Sequence, residues 1–139
     1  MSILVFGKTG QVACELQHLH PEFTYFSREE ADLLNPDVCA EAILAAKPSA
    51  VINAAAYTAV DRAEDEESLA YTINAEAPAA MAQACANLGI PFVHISTDYV
   101  FDGSGEMSRS TDAPTAPINA YGRTKLAGEE AIRSSGALH

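Results

Sequence analysis

Short apolar runs alternate along the chain with longer stretches of mixed apolar and polar residues, and each run stops at a residue that breaks or caps regular structure. Ser2-Ile3-Leu4-Val5-Phe6 halts at Gly7-Lys8-Thr9-Gly10, the pattern of a buried strand closed by a tight turn. A helix is predicted from Gln11 to about His18, and Phe23-Thr24-Tyr25-Phe26 makes a second short strand. Asn35-Pro36 sets a capping residue before a proline that opens a helix to about Lys47, where Pro48 ends it. Ala50-Val51-Ile52-Asn53 is the third strand, followed by a loop or broken helix from Ala54 to Glu64. An alanine-rich stretch then predicts one long helix from about Glu66 to Leu88, with Gly89 as its C-terminal cap. Pro91 to Ser96 is the fourth strand, Thr97 to Asn119 a long loop rich in Gly, Ser, Thr and Pro, and Ala120 to about Ser134 the last helix. Gly136 to His139 read as the entry to a further strand, which suggests a truncated chain.

Strands alternating with helices imply an α/β fold, a parallel sheet of five strands or fewer covered on both faces. Truncation before the last strands would leave a sheet edge unpaired and prone to association. At 139 residues, 48% apolar and 19% charged, the chain has the profile of one globular domain. Eight basic against nineteen acidic residues give a net charge of −11, which argues against nucleic acid and against anionic membrane surfaces as partners. No run approaches the roughly 20 apolar residues that span a bilayer, and the N-terminus lacks a secretory layout, so the expected location is cytoplasmic. Cys14, Cys39 and Cys85 are odd in number and widely spaced, and read as reduced, buried thiols without metal spacing.

Four segments carry candidate chemistry, each with a purely structural alternative. Gly7-x-x-Gly10-x-x-Ala13 lies between the first strand and first helix, where a Rossmann-like doubly wound sheet cradles a dinucleotide pyrophosphate. Gly7 allows the turn, Gly10 lets backbone amides approach the anion, and the helix N-terminus faces it. Glycines also end strands for structural reasons, and Lys8 is either an added cation or a solvated side chain. The second strand ends in Ser27-Arg28, where the dinucleotide fingerprint places a ribose-binding acid. An arginine and a hydroxyl there suit the extra phosphate of NADP; Glu29 and Glu30 oppose it, and a surface charge is the alternative. Asp32-Leu33 reach toward an adenine edge. Tyr121 and Lys125, four apart on a helix, share a face, so the ammonium can favour the ionised phenol; the alternative is an idle surface pair. Ser96-Thr97-Asp98 follow the fourth strand, where hydroxyls face the ligand crevice of an open sheet or simply cap the loop.

In this order and at these strand ends, the segments resemble the extended short-chain dehydrogenase/reductase superfamily, and within it the dTDP-sugar 4-keto reductases. The resemblance rests on Phe6-Gly7-Lys8-Thr9-Gly10-Gln11-Val12, on Val51 to Asp61 (VINAAAYTAVD), on Ser96-Thr97-Asp98-Tyr99-Val100-Phe101, and on Asn119 to Glu129 (NAYGRTKLAGE), and it covers the whole chain. It implies hydride transfer from NADPH or NADH to the 4-keto group of dTDP-4-dehydrorhamnose, giving dTDP-L-rhamnose. Residues 1–139 are then a partial NAD(P)-binding domain, with the substrate-binding part outside them. Tyr121 is implied as proton donor, Lys125 as the group that orients the nicotinamide ribose and lowers the phenol's pKa, and Thr97 as the substrate's hydrogen-bond partner, with Tyr99 bordering the substrate. Gly7, Thr9, Gly10, Gln11, Val12, Ser27, Arg28, Asp32, Leu33 and Asn53 to Ala56 (Asn53, Ala54, Ala55, Ala56) would line the cofactor. Asn74 matches an asparagine that supports the lysine. Glu15 matches a magnesium ligand at a homodimer interface in some members. Ala13 replaces a usual third glycine, and Ser110-Thr111-Asp112 a commoner Glu-x-Asp. Rival expectations are a nucleotide-sugar epimerase or dehydratase, and a non-catalytic nucleotide-binding regulatory module.

Overall fold

Four parallel strands form the sheet in the order β2-β1-β3-β4: β1 Ile3–Phe6, β2 Thr24–Phe26, β3 Ala50–Asn53 and β4 Phe92–His94. The computed structural model describes residues 1–139. The chain begins in the sheet's interior, steps out to β2, and returns to lay β3 on the other side of β1. That reversal opens a crevice at the carboxyl ends of β1 and β3, where open parallel sheets bind ligands.

Leu4, Phe6, Val51 and Phe92 contribute to one buried cluster with Cys39 and Ile43 of α2 (Pro36–Ala46), and Met81, Ala82 and Cys85 of a later helix. Val5, between Leu4 and Phe6, is equally buried, so β1 is covered on both faces, as its unbroken apolar run predicts. Helix α1 spans Gln11–Leu19.

The long alanine-rich helix is not continuous. It divides into α3 (Glu67–Tyr71), one π turn (Thr72–Glu76) and α4 (Ala77–Leu88). Pro78 supplies the reason: in an unbroken α-helix it would face the carbonyl of Asn74, with no N–H to donate and a ring that collides with it. The wider turn, closed by the Ala77 N–H on the Thr72 carbonyl, moves Asn74 out of that register. Gly89 caps α4 in the left-handed conformation, as expected. Asn35 precedes Pro36 but its side chain caps nothing; Asp32 Oδ1 accepts the Leu34 N–H instead, at 3.0 Å.

Strand β4 stops at His94, two residues before the predicted end. The loop after it holds a 3-10 turn, Asp98–Val100, and leads to α5, Ala120–Ser135. At the C-terminus Leu138 makes a single parallel bridge beside Pro91, and its carbonyl accepts the Phe92 N–H at 2.8 Å. Cys39 and Cys85 are buried, and burial pushes their thiols up to about 11 and about 12, with the Asp32 carboxylate adding to the rise at Cys39. Cys14 differs from the expectation: it is half-buried on α1, with its thiol 3.8 Å from the Lys8 carbonyl. No helix is long and apolar enough to cross a membrane.

Candidate active site

The glycine turn is shaped by a close backbone approach. Gly7 has φ +109°, and a Cβ there would lie 3.2 Å from the Ala54 carbonyl carbon and 3.3 Å from the Ala55 nitrogen. Gln17 reaches back from α1 to the Lys8 carbonyl at 2.8 Å and fixes the turn from below. Gly10 is the N-cap of α1 and has no side chain to satisfy the first-turn amides. Thr9, Gly10, Gln11 and Val12 are exposed there, so the free N–H groups face outward beside the ends of β1 and β3. An anion fits this cradle.

At the end of β2 the predicted cofactor residues are held by local pairs. Arg28 Nε donates to Asp32 Oδ2 at 3.2 Å, and the Ser27 N–H donates to Glu30 Oε2 at 2.7 Å, which together with the Ser27 hydroxyl holds the Glu30 carboxyl below its usual range. The Arg28 side chain remains 74% exposed. Leu33 is buried in the main core, which leaves its backbone as the part able to meet a ligand.

Asn53 stands at the end of β3, in register with Phe6 on one side and His94 on the other. Its Oδ1 accepts the Ala55 N–H at 3.1 Å, which shapes the Ala54-Ala55-Ala56 backbone against Gly7. Its amide nitrogen lies 3.1 Å from His94 Nδ1, and His94 Nε2 lies 3.3 Å from Lys125 Nζ. Burial, reinforced by the lysine, pushes the His94 pKa down to about 3. Lys125 is 1% exposed, and its Nζ donates to the Ile95 carbonyl at 2.5 Å. That contact occupies the backbone just beyond the end of β4. Burial lowers the Lys125 pKa to about 8, with Glu129 opposing the fall.

Tyr121 and Lys125 do share a helix face, but Nζ is bonded to Ile95 and His94 rather than to the phenol. Tyr121 packs edge-on against Tyr99, ring centroids 5.5 Å apart at 74°. No buried side-chain nitrogen or oxygen lacks a partner, and no group in the chain bonds the Tyr121 hydroxyl. That oxygen is therefore the solvent-facing tip of a residue only 9% exposed. Thr97 caps the 3-10 turn, its Oγ1 accepting the Tyr99 N–H at 3.2 Å, so the capping alternative is realised at Thr97. The same turn presses on α5: a Cβ at Gly122 would overlap the Tyr99 carbonyl oxygen.

Asn74, fully buried in the π turn, makes no direct hydrogen bond to Lys125. Its side chain accepts the Tyr57 N–H at 2.9 Å and donates to the Tyr57 carbonyl and to Thr124 Oγ1, both at 3.1 Å. Glu15 is exposed on α1 and belongs to no group of three His, Cys, Asp or Glu side chains that could hold a metal ion. His94 and Thr124 were not anticipated. A histidine inside an apolar strand was the available sign for the first; Thr124, next to the singled-out lysine, carried none.

A family model described as RmlD substrate binding domain matches residues 1–139. The chain is 46% identical over 146 residues to the dTDP-4-dehydrorhamnose reductase of Escherichia coli (strain K12), covering 100% of this chain and 49% of that relative. To the dTDP-4-dehydrorhamnose reductase of Burkholderia thailandensis it is 45% identical over 139 residues, covering 98% and 47%. Among solved structures, the dTDP-4-dehydrorhamnose reductase of Bacillus anthracis strain Ames in complex with NADP matches with a TM-score of 0.93 at 35% identity, over 99% of this chain and 50% of that one. The chain thus spans about half the length of the curated relatives it matches.

Proposed function

The chain belongs to the RmlD substrate binding domain family, and from that premise we propose that residues 1–139 form the cofactor-holding and proton-donating part of an NAD(P)H-dependent reductase. The substrate is the 4-keto sugar of dTDP-4-dehydrorhamnose and the product dTDP-L-rhamnose. The observation that supports this reading is the line of contacts from the Gly7 turn through Ala55, Asn53 and His94 to the buried Lys125, on whose helix Tyr121 keeps its hydroxyl free of any partner in the chain.

The nicotinamide cofactor, when bound, supplies the hydride that adds to the carbonyl carbon. The chain's own residues do the rest. The Gly10 end of α1 holds the pyrophosphate, because four backbone amides there have no partner inside the helix. Arg28 and Ser27 take the 2′-phosphate of NADPH, which Glu29 and Glu30 weaken, so NADH remains an acceptable donor. Tyr121 gives its phenolic proton to the carbonyl oxygen as the carbon–oxygen double bond opens to an alcohol. Thr97 and Tyr99 border the sugar, and Lys125 holds the nicotinamide ribose. A magnesium ion at Glu15 would need ligands from a second copy of the chain. A reaction that consumes a reduced nicotinamide and a nucleotide sugar belongs in the cytoplasm.

Calorimetric titration with NADPH and with NADH, followed by the dTDP-sugar, on this chain and on one of the relatives' length tests the proposal. The cofactor is expected to bind both chains, and the sugar to bind tightly only to the longer one. Failure of either chain to bind any nicotinamide nucleotide overturns it.

A further inference from the structure

Three polar groups form a line from β3 through β4 to α5: the Asn53 amide, the His94 imidazole and the Lys125 amine, at 3.1 Å and 3.3 Å. The line has a direction. A backbone N–H can only donate, so Asn53 turns its oxygen to Ala55, 3.1 Å away, and its amino group to His94. An amino group also donates, so Nδ1 of His94 must accept. The ring is neutral, because burial disfavours the imidazolium. A neutral imidazole carries one proton, and here it sits on Nε2, aimed at Lys125 Nζ. An ammonium has three donors and no lone pair; an amine can accept from Nε2 while still donating to the Ile95 carbonyl.

We propose that Asn53 and His94 are positioning residues that present a donor, not an acceptor, to Lys125, and so shift Lys125 toward its free amine beyond what burial alone does. This deepens the reductase reading, because it concerns the same lysine, but it stands on hydrogen-bond polarity and not on the identity of the substrate. The titratable groups that act on Nζ are His94 from β4 and Glu129 from the same helix. Burial already moves the lysine toward the amine, Glu129 resists, and the relay adds to burial. Glu129 is itself engaged by Ser96 Oγ at 2.5 Å and Arg133 at 2.7 Å, which weakens its hold on the ammonium. A charged Lys125, the form that would stabilise an ionised Tyr121, requires His94 to present its lone pair to Nζ. Asn53 opposes that change, so it helps to set the charge of the site.

Long-range proton–nitrogen NMR spectra of His94 in the 139-residue chain at pH 7 read the tautomer directly. The expected result is a proton on Nε2. In Asn53→Asp, whose carboxylate accepts where the amide donated, the proton is expected to move to Nδ1, and the proton affinity of Lys125, followed by its Nζ shift, to rise at least tenfold. A proton on Nδ1 or an imidazolium in the unaltered chain overturns the proposal, as does an Asn53→Asp chain in which the tautomer does not move. The unaltered chain decides the matter even where the variant fails to fold. Absence of cofactor binding would defeat the reductase reading and leave the tautomer result untouched, so the two failures are separable.

Discussion

Asn74 Nδ2 donates to Thr124 Oγ1 at 3.1 Å across 50 residues of sequence, and with that bond the π turn is fastened to the helix that carries Tyr121 and Lys125. The same amide spans both backbone polar groups of Tyr57. Asn74→Ala would take the amide from both the Tyr57 N–H and the Tyr57 carbonyl, while the Thr124 hydroxyl keeps its bond to the Tyr121 carbonyl, each unsatisfied buried group costing roughly 1–3 kcal/mol. The expected result is a drop of about 2–4 kcal/mol in urea-unfolding free energy. A change within 0.5 kcal/mol of zero would show that water replaces the amide without loss.

The Tyr121 hydroxyl has no partner in the chain, so Tyr121→Phe removes a proton donor and no internal bond. Stability is expected to stay within about 0.5 kcal/mol. In a chain long enough to turn over, carbonyl reduction should fall about a hundredfold or more, in kcat rather than KM, with cofactor affinity retained. Undiminished turnover would remove Tyr121 from the mechanism.

Much of this arrangement is legible in the chain itself, and the remainder is not for physical reasons. Apolar runs locate all four strands, most plainly β1, where Leu4, Val5 and Phe6 are all buried, while Thr24 of β2, Asn53 of β3 and His94 of β4 are polar positions that the runs tolerate. Gly7 and Tyr121 are readable because backbone approach and proton transfer restrict which residues can serve. The break at Thr72–Glu76 is hidden by a composition that favours helix on both sides, although Pro78 marks where the carbonyl ladder must shift. The partner of Lys125 is hidden for another reason. Helical spacing puts the lysine on the face of Tyr121, but the end of its long side chain is decided by which polar groups surround it. Those are the Ile95 carbonyl, just past β4, and the ring of His94, whose register with Asn53 appears only in three dimensions.

His94 gives the fold a sensitivity to acid. Its folded pKa, about 3, lies below its unfolded value of 6.5. The unfolded chain therefore binds the extra proton first, and stability falls as pH drops from about 6.5 toward 3. One proton corresponds to roughly 1.4 kcal/mol per pH unit well inside that window. Comparing urea unfolding at pH 6.5 and 4.5, the unaltered chain should lose about 2 kcal/mol more than His94→Gln, since carboxylates titrate in both. Equal losses would mean that His94 is solvated enough to protonate in place.

Gly7 couples stability to ligand binding at the opposite side of the crevice. Alanine at that position must keep φ near +109° and bring its methyl group to 3.2 Å from the Ala54 carbonyl carbon, backbone that cannot swing aside like a flexible side chain. Strain of this kind costs on the order of 1–3 kcal/mol. Relief would come only from moving the turn away from β3, which shifts the Gly10 amides from the line of the crevice. Gly7→Ala is thus expected to lower the unfolding free energy by about 1–3 kcal/mol and to weaken NADPH binding at least tenfold. Gly89→Ala, also at positive φ but with nothing within 4 Å of the added methyl, should cost about 1 kcal/mol and leave cofactor affinity unchanged. Equal effects of the two substitutions on NADPH affinity in calorimetry would mean that the Gly7 turn does not hold the pyrophosphate.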